Sequence, residues 1–337
     1  MRGASVIGAG SWGSAFSLHL ARLKIPAHLW VRENEILAEL RRDGVNRVFL
    51  PGFTFPAGVS FTADLEEAVS STEVIFLAVP SQFCRGLLVK MEPFLTANHT
   101  VVSLTKGIEE KSLKRMSEVM VEIFSRRRMP RIAVLSGPSF AREVAQIHPT
   151  AVVIASRDKD VARDLQHRLS NVAFRVYTSE DVTGVELAGA LKNVIAVAAG
   201  ISDGLNFGHN SRAALITRGL AEIMRLGKAC GASRKTFFGL AGIGDLVLTC
   251  TGNLSRNYSL GYEVARGKRP DAIVKNMKMV AEGMATALSV HDLARREDVE
   301  MPICEQVYHV LYKEKDPRTS ITELMLRRLK AEHEGED

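Results

Sequence analysis

The sequence predicts an α/β protein in two parts, a first domain built on a parallel sheet and a second domain that is mainly α-helical. Between residues 4 and 177, short apolar runs rich in β-branched residues alternate with helical patterns, which is typical of βαβ units. After residue 179, long helical stretches replace this alternation. A chain of 337 residues also exceeds the length at which a single core usually stops growing. We therefore place the domains at residues 1–178 and 179–337.

The strands are predicted, in order, at residues 4–7, 27–31, 74–79, 100–104, 132–135, 151–154 and 173–177. Several of them end at a Gly, Pro or Ser that opens a loop, as at Gly8, Pro80-Ser81, Lys106-Gly107 and residues 136–139. In an open parallel sheet, ligands bind beyond the carboxyl ends of the strands. The second domain begins with a helical stretch that is capped by residues 179–181 and continues through residues 185–199.

Composition excludes several classes of protein. The net charge is +6, but the basic residues are spread along the chain, and the longest run, Arg126-Arg127-Arg128, falls at the predicted end of a helix. No nucleic-acid-binding motif accompanies the charge, so we expect small phosphorylated ligands rather than nucleic acid. The four cysteines are far apart and form no CxxC pair, so the sequence indicates neither a zinc site nor a disulfide framework. The start of the sequence lacks the charged and apolar pattern of a signal peptide, and no 18-residue apolar run lacks a charge, so we expect a cytoplasmic protein without an integral membrane segment.

A glycine fingerprint follows the first strand. Gly8, Gly10 and Gly13 stand in GAGSWG between that strand and a predicted helix. In this context the three glycines allow a tight turn, a close backbone approach to a pyrophosphate and close helix packing. The pattern predicts a Rossmann-like dinucleotide site, the alternative being a glycine-rich turn that binds nothing.

The residue after the second strand bears on coenzyme choice. Many dinucleotide sites have an acid there that binds the ribose 2′-hydroxyl, whereas this chain has Arg32. A guanidinium could pair with the 2′-phosphate of NADPH. Alternatively, Arg32 is a solvated surface arginine, and Glu33 or Glu35 supplies the acid that binds the ribose. Preference between NADH and NADPH therefore stays open.

Three ionisable residues are candidates for chemistry. Lys192 interrupts an apolar, small-residue helix, and burial would lower its pKa toward the range useful for proton transfer. Alternatively it reaches water or pairs with Glu186. Lys106 lies at the ligand edge of the sheet, where it could hold a substrate oxygen or be an ordinary surface lysine. Asp245 follows a glycine-rich stretch and could orient a lysine ammonium or cap a helix.

A candidate phosphate site precedes a helix predicted to begin near Tyr258. Ser255, Arg256 and Asn257 lie where backbone N–H groups and the helix dipole favour an anion. The alternative is that Ser255 only caps the helix.

Eight motifs in order give the chain a close resemblance, almost end to end, to the bacterial NAD(P)-dependent glycerol-3-phosphate dehydrogenase family. They are GAGSWG at 8–13, FLAVPSQ at 76–82, SLTKGIE at 103–109, LSGPSFA at 135–141, ELAGALKNVIA at 186–196, GLAGIGDLVLTC at 239–250, SRN at 255–257 and VAEG at 280–283. The resemblance implies a Rossmann-like N-terminal domain, a helical C-terminal domain and reduction of dihydroxyacetone phosphate to sn-glycerol 3-phosphate with NADH or NADPH. That product is the backbone precursor of phospholipids.

The resemblance also implies site residues. Besides the fingerprint glycines, those expected around the cofactor are Ser11, Trp12, Arg32, Lys106, Ala141, Arg256, Val280 and Glu282. Those expected around the substrate are Lys106, Gly137, Ser139, Lys192, Asp245, Ser255, Arg256 and Asn257. Lys192 corresponds to the family's proton-transfer residue, and we expect Lys106 and Asp245 to act with it. We also expect a homodimer. The competing interpretations are a β-hydroxy-acid dehydrogenase of similar architecture and a nucleotide-sensing module without catalytic activity.

Overall fold

The computed structural model describes residues 3–125, 128–252, 254–277, 280–329 and 331–332, so Arg126 and Arg127 of the basic run lie outside the described residues. The strands are β1 (Ala4–Ile7), β2 (Ala27–Trp30), β3 (Val45–Asn46), β4 (Leu50–Thr54), β5 (Val59–Thr62), β6 (Val74–Leu77), β7 (Thr100–Ser103), β8 (Arg131–Ser136), β9 (Thr150–Ala155) and β10 (Phe174–Ser179). Eight of them form one sheet in the order β10-β9-β8-β7-β6-β1-β2-β5, and β3 and β4 form a separate hairpin.

The first-domain helices are α1 (Ser11–Arg22), α2 (Asn34–Asp43), α3 (Leu65–Ser70), α4 (Ser81–Met91), α5 (Met116–Ile123), α6 (Ala141–Ala145) and α7 (Lys159–Leu169). The second-domain helices are α8 (Val182–Gly204), α9 (Gly208–Ala229), α10 (Arg234–Phe237), α11 (Asp245–Thr251), α12 (Arg256–Ala265), α13 (Pro270–Asn276), α14 (Glu282–Arg296), α15 (Pro302–Tyr312) and α16 (Pro317–Met325). The predicted fold class, a Rossmann-like domain followed by a helical one, is confirmed.

The sheet departs from the prediction in two respects. It is mixed, because β8 and β9 pair antiparallel, with Leu135 opposite Ile154. The link between them contains only the five-residue helix α6, and antiparallel neighbours need no long helical crossover. The strands β3, β4 and β5 were also absent from the prediction. β3 has two residues, and Pro51 and Gly52 interrupt the strand pattern of β4.

Helix α8 forms the centre of the second domain. Its start is as predicted, because the Asp181 carboxylate accepts a hydrogen bond from the Gly184 N–H at 2.9 Å. Gly200 lets α12 cross at close range, since a Cβ there would lie 2.0 Å from the Tyr258 carbonyl oxygen. Among the described residues, α8 is the one single helix long and apolar enough to span a bilayer, but 94% of its most apolar stretch is buried inside the protein. It is therefore the core helix of this domain, which places Lys192 in the interior.

Candidate active site

A crevice edge is formed where the carboxyl ends of β1, β6 and β7 meet. These strands run parallel and side by side, and β8 extends the same parallel run. Strand order reverses at β1, which lies between β2 and β6. The segments that leave this edge carry Gly8, Ser81, Lys106 and Gly137. Ligands of open α/β sheets bind at such a switch point.

The glycine turn has the shape that a dinucleotide needs. Gly8 has a φ of +116°, and a Cβ there would lie 2.6 Å from the Ala78 carbonyl oxygen. A Cβ on Gly13 would lie 1.9 Å from the Gly8 oxygen, so α1 packs directly on the turn. Gly10 precedes α1, and a Cβ there would meet nothing within 4 Å. Open space at a helix N-terminus fits a pyrophosphate group.

Two predicted cofactor residues follow in the first turn of α1. The Ser11 hydroxyl donates to the Phe49 carbonyl at 2.7 Å. The half-buried ring of Trp12 lies 5.8 Å from the Phe16 ring, so one side of it contacts the core. The indole N–H of Trp12 is buried and has no hydrogen-bond partner among the described residues.

Arg32 lies on the surface with its side chain 65% exposed. Its Nε and Nη2 both donate to one oxygen of Glu33, at 3.0 and 2.6 Å. Its guanidinium also lies 5.9 Å from the Phe83 ring, which is itself largely exposed. Glu33 therefore competes with any ligand phosphate for this guanidinium.

Three charged residues meet across the two domains. The Lys106 Nζ, from the segment after β7, donates to Asp245 Oδ2 at 2.7 Å and to the Gly137 carbonyl at 3.0 Å. The Lys192 Nζ, from the middle of α8, donates to Asp245 Oδ1 at 2.5 Å. Lys192 is 5% exposed and Asp245 is 1% exposed. The sequence predicted each residue, and the structure shows that one carboxylate joins the two lysines.

Burial and these charges set the protonation of the cluster. Burial lowers the pKa of Lys192 to about 8, against the opposing effect of Asp245, and the positive charge of Lys106 lowers it further. Burial raises the pKa of Asp245, but the two lysines outweigh it and hold that pKa below its ordinary value. The cluster therefore contains an ionised carboxylate and a lysine that can exchange a proton near neutral pH.

The alternatives for Lys192 and Asp245 do not hold. Glu186 accepts from Arg115 and from the Ser117 N–H, so it is engaged elsewhere. Asp245 makes no side-chain cap to α11.

Two polar residues complete the site beyond those predicted. The Thr249 hydroxyl lies 2.9 Å from the Lys192 Nζ. Its position four residues after Asp245, on one helix face, was a signal available in the sequence. Asn193 donates to the Lys106 carbonyl at 3.2 Å and accepts from Asn257 at 2.8 Å. Asn257 also accepts from the Gly283 N–H, so these buried amides connect both domains.

At the start of α12, the structure corrects the roles of side chains. The helix begins at Arg256 rather than near Tyr258. The buried hydroxyl of Ser255 accepts from the Tyr258 N–H at 3.2 Å, so it caps the helix. The Arg256 Nη1 donates to the Val280 carbonyl at 2.9 Å. An anion here would therefore meet backbone N–H groups and a guanidinium.

The remaining predicted residues lie at the edges of the crevice. Ser139 donates to the Gly137 carbonyl, and Ala141 begins α6. Glu282 does not point freely into the crevice. Its two oxygens accept from the Ser81 N–H at 3.0 Å and the Ser81 hydroxyl at 2.7 Å, which ties α14 to the start of α4.

The fold and this site define a class of protein, the two-domain oxidoreductases that use a nicotinamide dinucleotide. Two family models, described as the N-terminus and the C-terminus of NAD-dependent glycerol-3-phosphate dehydrogenase, match residues 3–162 and 181–322. A glycerol-3-phosphate dehydrogenase (NAD(P)+) from Geobacter metallireducens is 53% identical over 327 residues, which are 97% of this chain and 98% of the relative. The relative from Syntrophotalea carbinolica is 50% identical over the same shares of the two chains.

Solved structures agree. The crystal structure of glycerol-3-phosphate dehydrogenase from Coxiella burnetii is 39% identical, with a TM-score of 0.93 over 97% of this chain and 99% of that one. The Plasmodium falciparum glycerol-3-phosphate dehydrogenase shares the fold at 22% identity, with a TM-score of 0.86 over 98% of this chain and 96% of that one. The chain belongs to the NAD-dependent glycerol-3-phosphate dehydrogenase family.

Proposed function

We propose that the chain reduces dihydroxyacetone phosphate to sn-glycerol 3-phosphate with NADH or NADPH. The observation that carries this proposal is the cluster in which Asp245 joins Lys106 and Lys192 at the crevice edge. A carbonyl reduction needs a proton donor and a positive charge beside the developing alkoxide, and the cluster supplies both. The reaction is reversible, and its product supplies the glycerol backbone for phospholipid synthesis.

The nicotinamide, when bound, supplies the hydride that forms the new C–H bond at the substrate's C2. Lys192 donates the proton that turns the C2 oxygen into a hydroxyl, and its pKa of about 8 lets it exchange that proton at physiological pH. The ammonium of Lys106 stabilises the same oxygen as charge develops on it. Asp245 holds both ammonium groups in place and keeps Lys192 protonated against the cost of burial.

The substrate phosphate binds at the start of α12. Backbone N–H groups of the first turn and the guanidinium of Arg256 provide the positive end of that site. Asn257 and the cap of Ser255 fix this turn, while Gly137 and Ser139 line the substrate side beside Lys106. A phosphate anchored there holds the carbonyl next to the lysines.

The coenzyme binds along the glycine turn, with its pyrophosphate at Gly10 and the start of α1. Ser11, Trp12, Arg32, Lys106, Ala141, Arg256, Val280 and Glu282 are proposed around it. Arg32 favours acceptance of a 2′-phosphate if Glu33 releases it. Glu282 contributes indirectly, because it accepts a hydrogen bond from the Ser81 N–H and so holds the start of α4 at the edge of the crevice.

The organisation of the protein follows from the same account. We place the domain boundary between residues 178 and 179, next to the end of β10. We propose a cytoplasmic location. We propose a homodimer whose contact includes the exposed apolar side chains of Met325, Leu326 and Leu329. Light scattering that gives the mass of a dimer would support that assembly, and the mass of a single chain would contradict it.

The activity test follows coenzyme oxidation optically with dihydroxyacetone phosphate, glyceraldehyde 3-phosphate and β-keto acids as alternative substrates. We expect rapid oxidation with dihydroxyacetone phosphate alone. A preference for a β-keto acid would identify a different dehydrogenase, and no oxidation with any substrate would favour a nucleotide sensor. Heat-denatured protein gives the background rate.

A further inference from the structure

The hairpin of β3 and β4 lies outside the main sheet, yet its first strand contacts the glycine turn. Asn46, at the end of β3, is completely buried. Its Nδ2 donates to the Ala9 carbonyl at 2.8 Å and to the Ser14 hydroxyl at 3.0 Å. Its Oδ1 accepts from the Phe49 N–H at 2.9 Å. The Nδ2 end of this amide thus joins the hairpin to the glycine turn and α1, while the Oδ1 end holds the loop of the hairpin itself.

A second contact connects the same two segments. The Ser11 hydroxyl donates to the Phe49 carbonyl at 2.7 Å. Residues 46–49 therefore hold the glycine turn at Ala9 and the first turn of α1 at Ser11 and Ser14. Burial of polar groups is costly unless they are paired, so this arrangement has a strong preference for one geometry.

The contact with Ala9 has a consequence for the next residue. In a trans peptide the carbonyl of one residue and the N–H of the next point in opposite directions. The Ala9 carbonyl accepts from Asn46 at 2.8 Å and, at the longer distance of 3.2 Å, from the Ser14 hydroxyl to which Asn46 also donates, so the Gly10 N–H points away from the hairpin. This N–H has no hydrogen-bond partner among the described residues, and the space beside Gly10 is open.

We propose that Asn46 is a positioning residue for coenzyme binding: by holding the Ala9 carbonyl, it aims the Gly10 N–H at the coenzyme's pyrophosphate. The proposal rests on the coenzyme site proposed at this turn. Asn46 itself does not contact the reacting atoms. Its loss should therefore weaken coenzyme binding and leave the chemical step intact.

The test uses two substitutions and a matched control. Asn46→Asp keeps the shape but, when ionised, cannot donate, and Asn46→Ala removes the amide altogether. The control is Asn171→Ala, since Asn171 also holds a turn, by accepting from the Ala173 and Phe174 N–H groups at 2.9 and 2.8 Å. Circular dichroism and thermal melting of each variant establish that it is folded.

Calorimetric titration with NADH and with NADPH is the direct readout. We expect the Kd of a coenzyme to rise about 10-fold or more in both Asn46 variants, since the Ala9 carbonyl then keeps only the longer hydrogen bond from the Ser14 hydroxyl, at 3.2 Å, and that hydroxyl loses its own donor. KM for the coenzyme should rise in parallel, while kcat at saturating coenzyme stays within about twofold. In Asn171→Ala, Kd and KM should not change. Hydrogen exchange at residues 8–14 of the free protein should accelerate in Asn46→Asp.

Several outcomes would overturn the proposal. An unchanged Kd in a folded Asn46 variant would remove the residue from coenzyme binding. A kcat that falls while Kd stays constant would mean that it acts elsewhere. If neither variant folds, the residue is structural alone and the proposal fails. Failure of the coenzyme site itself would look different, because then wild-type protein would bind no coenzyme, or a Gly10→Val variant would bind it as well as wild type.

Discussion

Asp245→Asn is the change that most directly disturbs the charged cluster. The substitution keeps the size of the side chain and removes its charge. In the wild-type protein each carboxylate oxygen accepts from one lysine, at 2.7 Å from Lys106 and 2.5 Å from Lys192. An asparagine keeps one acceptor, and its NH₂ group faces the other ammonium, donor against donor.

The structure gives a magnitude for the loss. Removing one partner from a buried ion pair typically costs about 3–5 kcal/mol of unfolding free energy, and here one carboxylate serves two lysines. Asp245 raises the pKa of Lys192, so the pKa should fall below about 8 in the variant, and at any given pH a larger fraction of Lys192 should be neutral than in wild type. A neutral donor has no proton for the alkoxide, and kcat for reduction should fall by about 10²-fold or more.

The charge on Lys192 also determines in which direction the unfolding free energy changes with pH. A lysine whose folded pKa lies below its ordinary 10.5 destabilises the protein while it is charged, and this cost is progressively removed as pH rises from the folded pKa toward 10.5. In the variant that removal should begin at a lower pH than in wild type. The amount by which the unfolding free energy of Asp245→Asn lies below that of wild type should therefore shrink as pH rises toward about 8. Above that pH the difference should stay constant.

Urea unfolding at several pH values and coenzyme oxidation with dihydroxyacetone phosphate measure these effects. Glu186→Gln is the matched control, because Glu186 is another buried carboxylate on the domain boundary, paired with Arg115. It should lower stability with little loss of kcat. An Asp245→Asn enzyme with wild-type kcat would refute the role of the shared carboxylate, as would an unfolding free energy equal to that of wild type.

Three further changes test separate parts of the account. Gly13→Ala places a Cβ 1.9 Å from the Gly8 oxygen, so coenzyme Kd should rise sharply in calorimetry, and unaltered binding would contradict the geometry of the turn. Asp181→Ala removes the cap of α8 and the acceptor of the Ser233 N–H and the Thr236 hydroxyl, so it should cost about 2 kcal/mol or more in urea unfolding while kcat is maintained; a large kcat loss would mean that these contacts also shape the site. Arg32→Asp should shift the ratio of kcat/KM toward NADH by about 10-fold or more, and an unchanged ratio would exclude contact with a 2′-phosphate.

The parts of the fold that the sequence predicted are those in which backbone geometry restricts the residue type. The turn after β1 requires glycine at Gly8 and Gly13, and the cap of α8 needs a short polar side chain such as Asp181. The β3–β4 hairpin was missed because Pro51 and Gly52 are poor strand residues, and the antiparallel pairing of β9 has no local signature.

In the candidate active site, the sequence indicated which residues take part, but it did not indicate which of them contact one another. Lys106, Lys192 and Asp245 stood out as charges in apolar or glycine-rich surroundings. Lys106 and Asp245 are 139 positions apart, however, and they meet because the segment after β7 and the start of α11 lie together in the folded chain. The role of Ser255 depended on whether its hydroxyl faced a ligand or the Tyr258 N–H, and spacing along the chain is the same for both.

The central claim is that Lys192 is the proton donor with a pKa of about 8. The most direct measurement is the pH profile of kcat/KM in both directions for wild type and Lys192→Ala, between about pH 6 and 10. The account predicts that reduction falls and glycerol 3-phosphate oxidation rises through about pH 8 in wild type. In Lys192→Ala, turnover should be about 10²-fold lower, without that inflection. Near-normal turnover in Lys192→Ala, or the same inflection in both proteins, would contradict the claim.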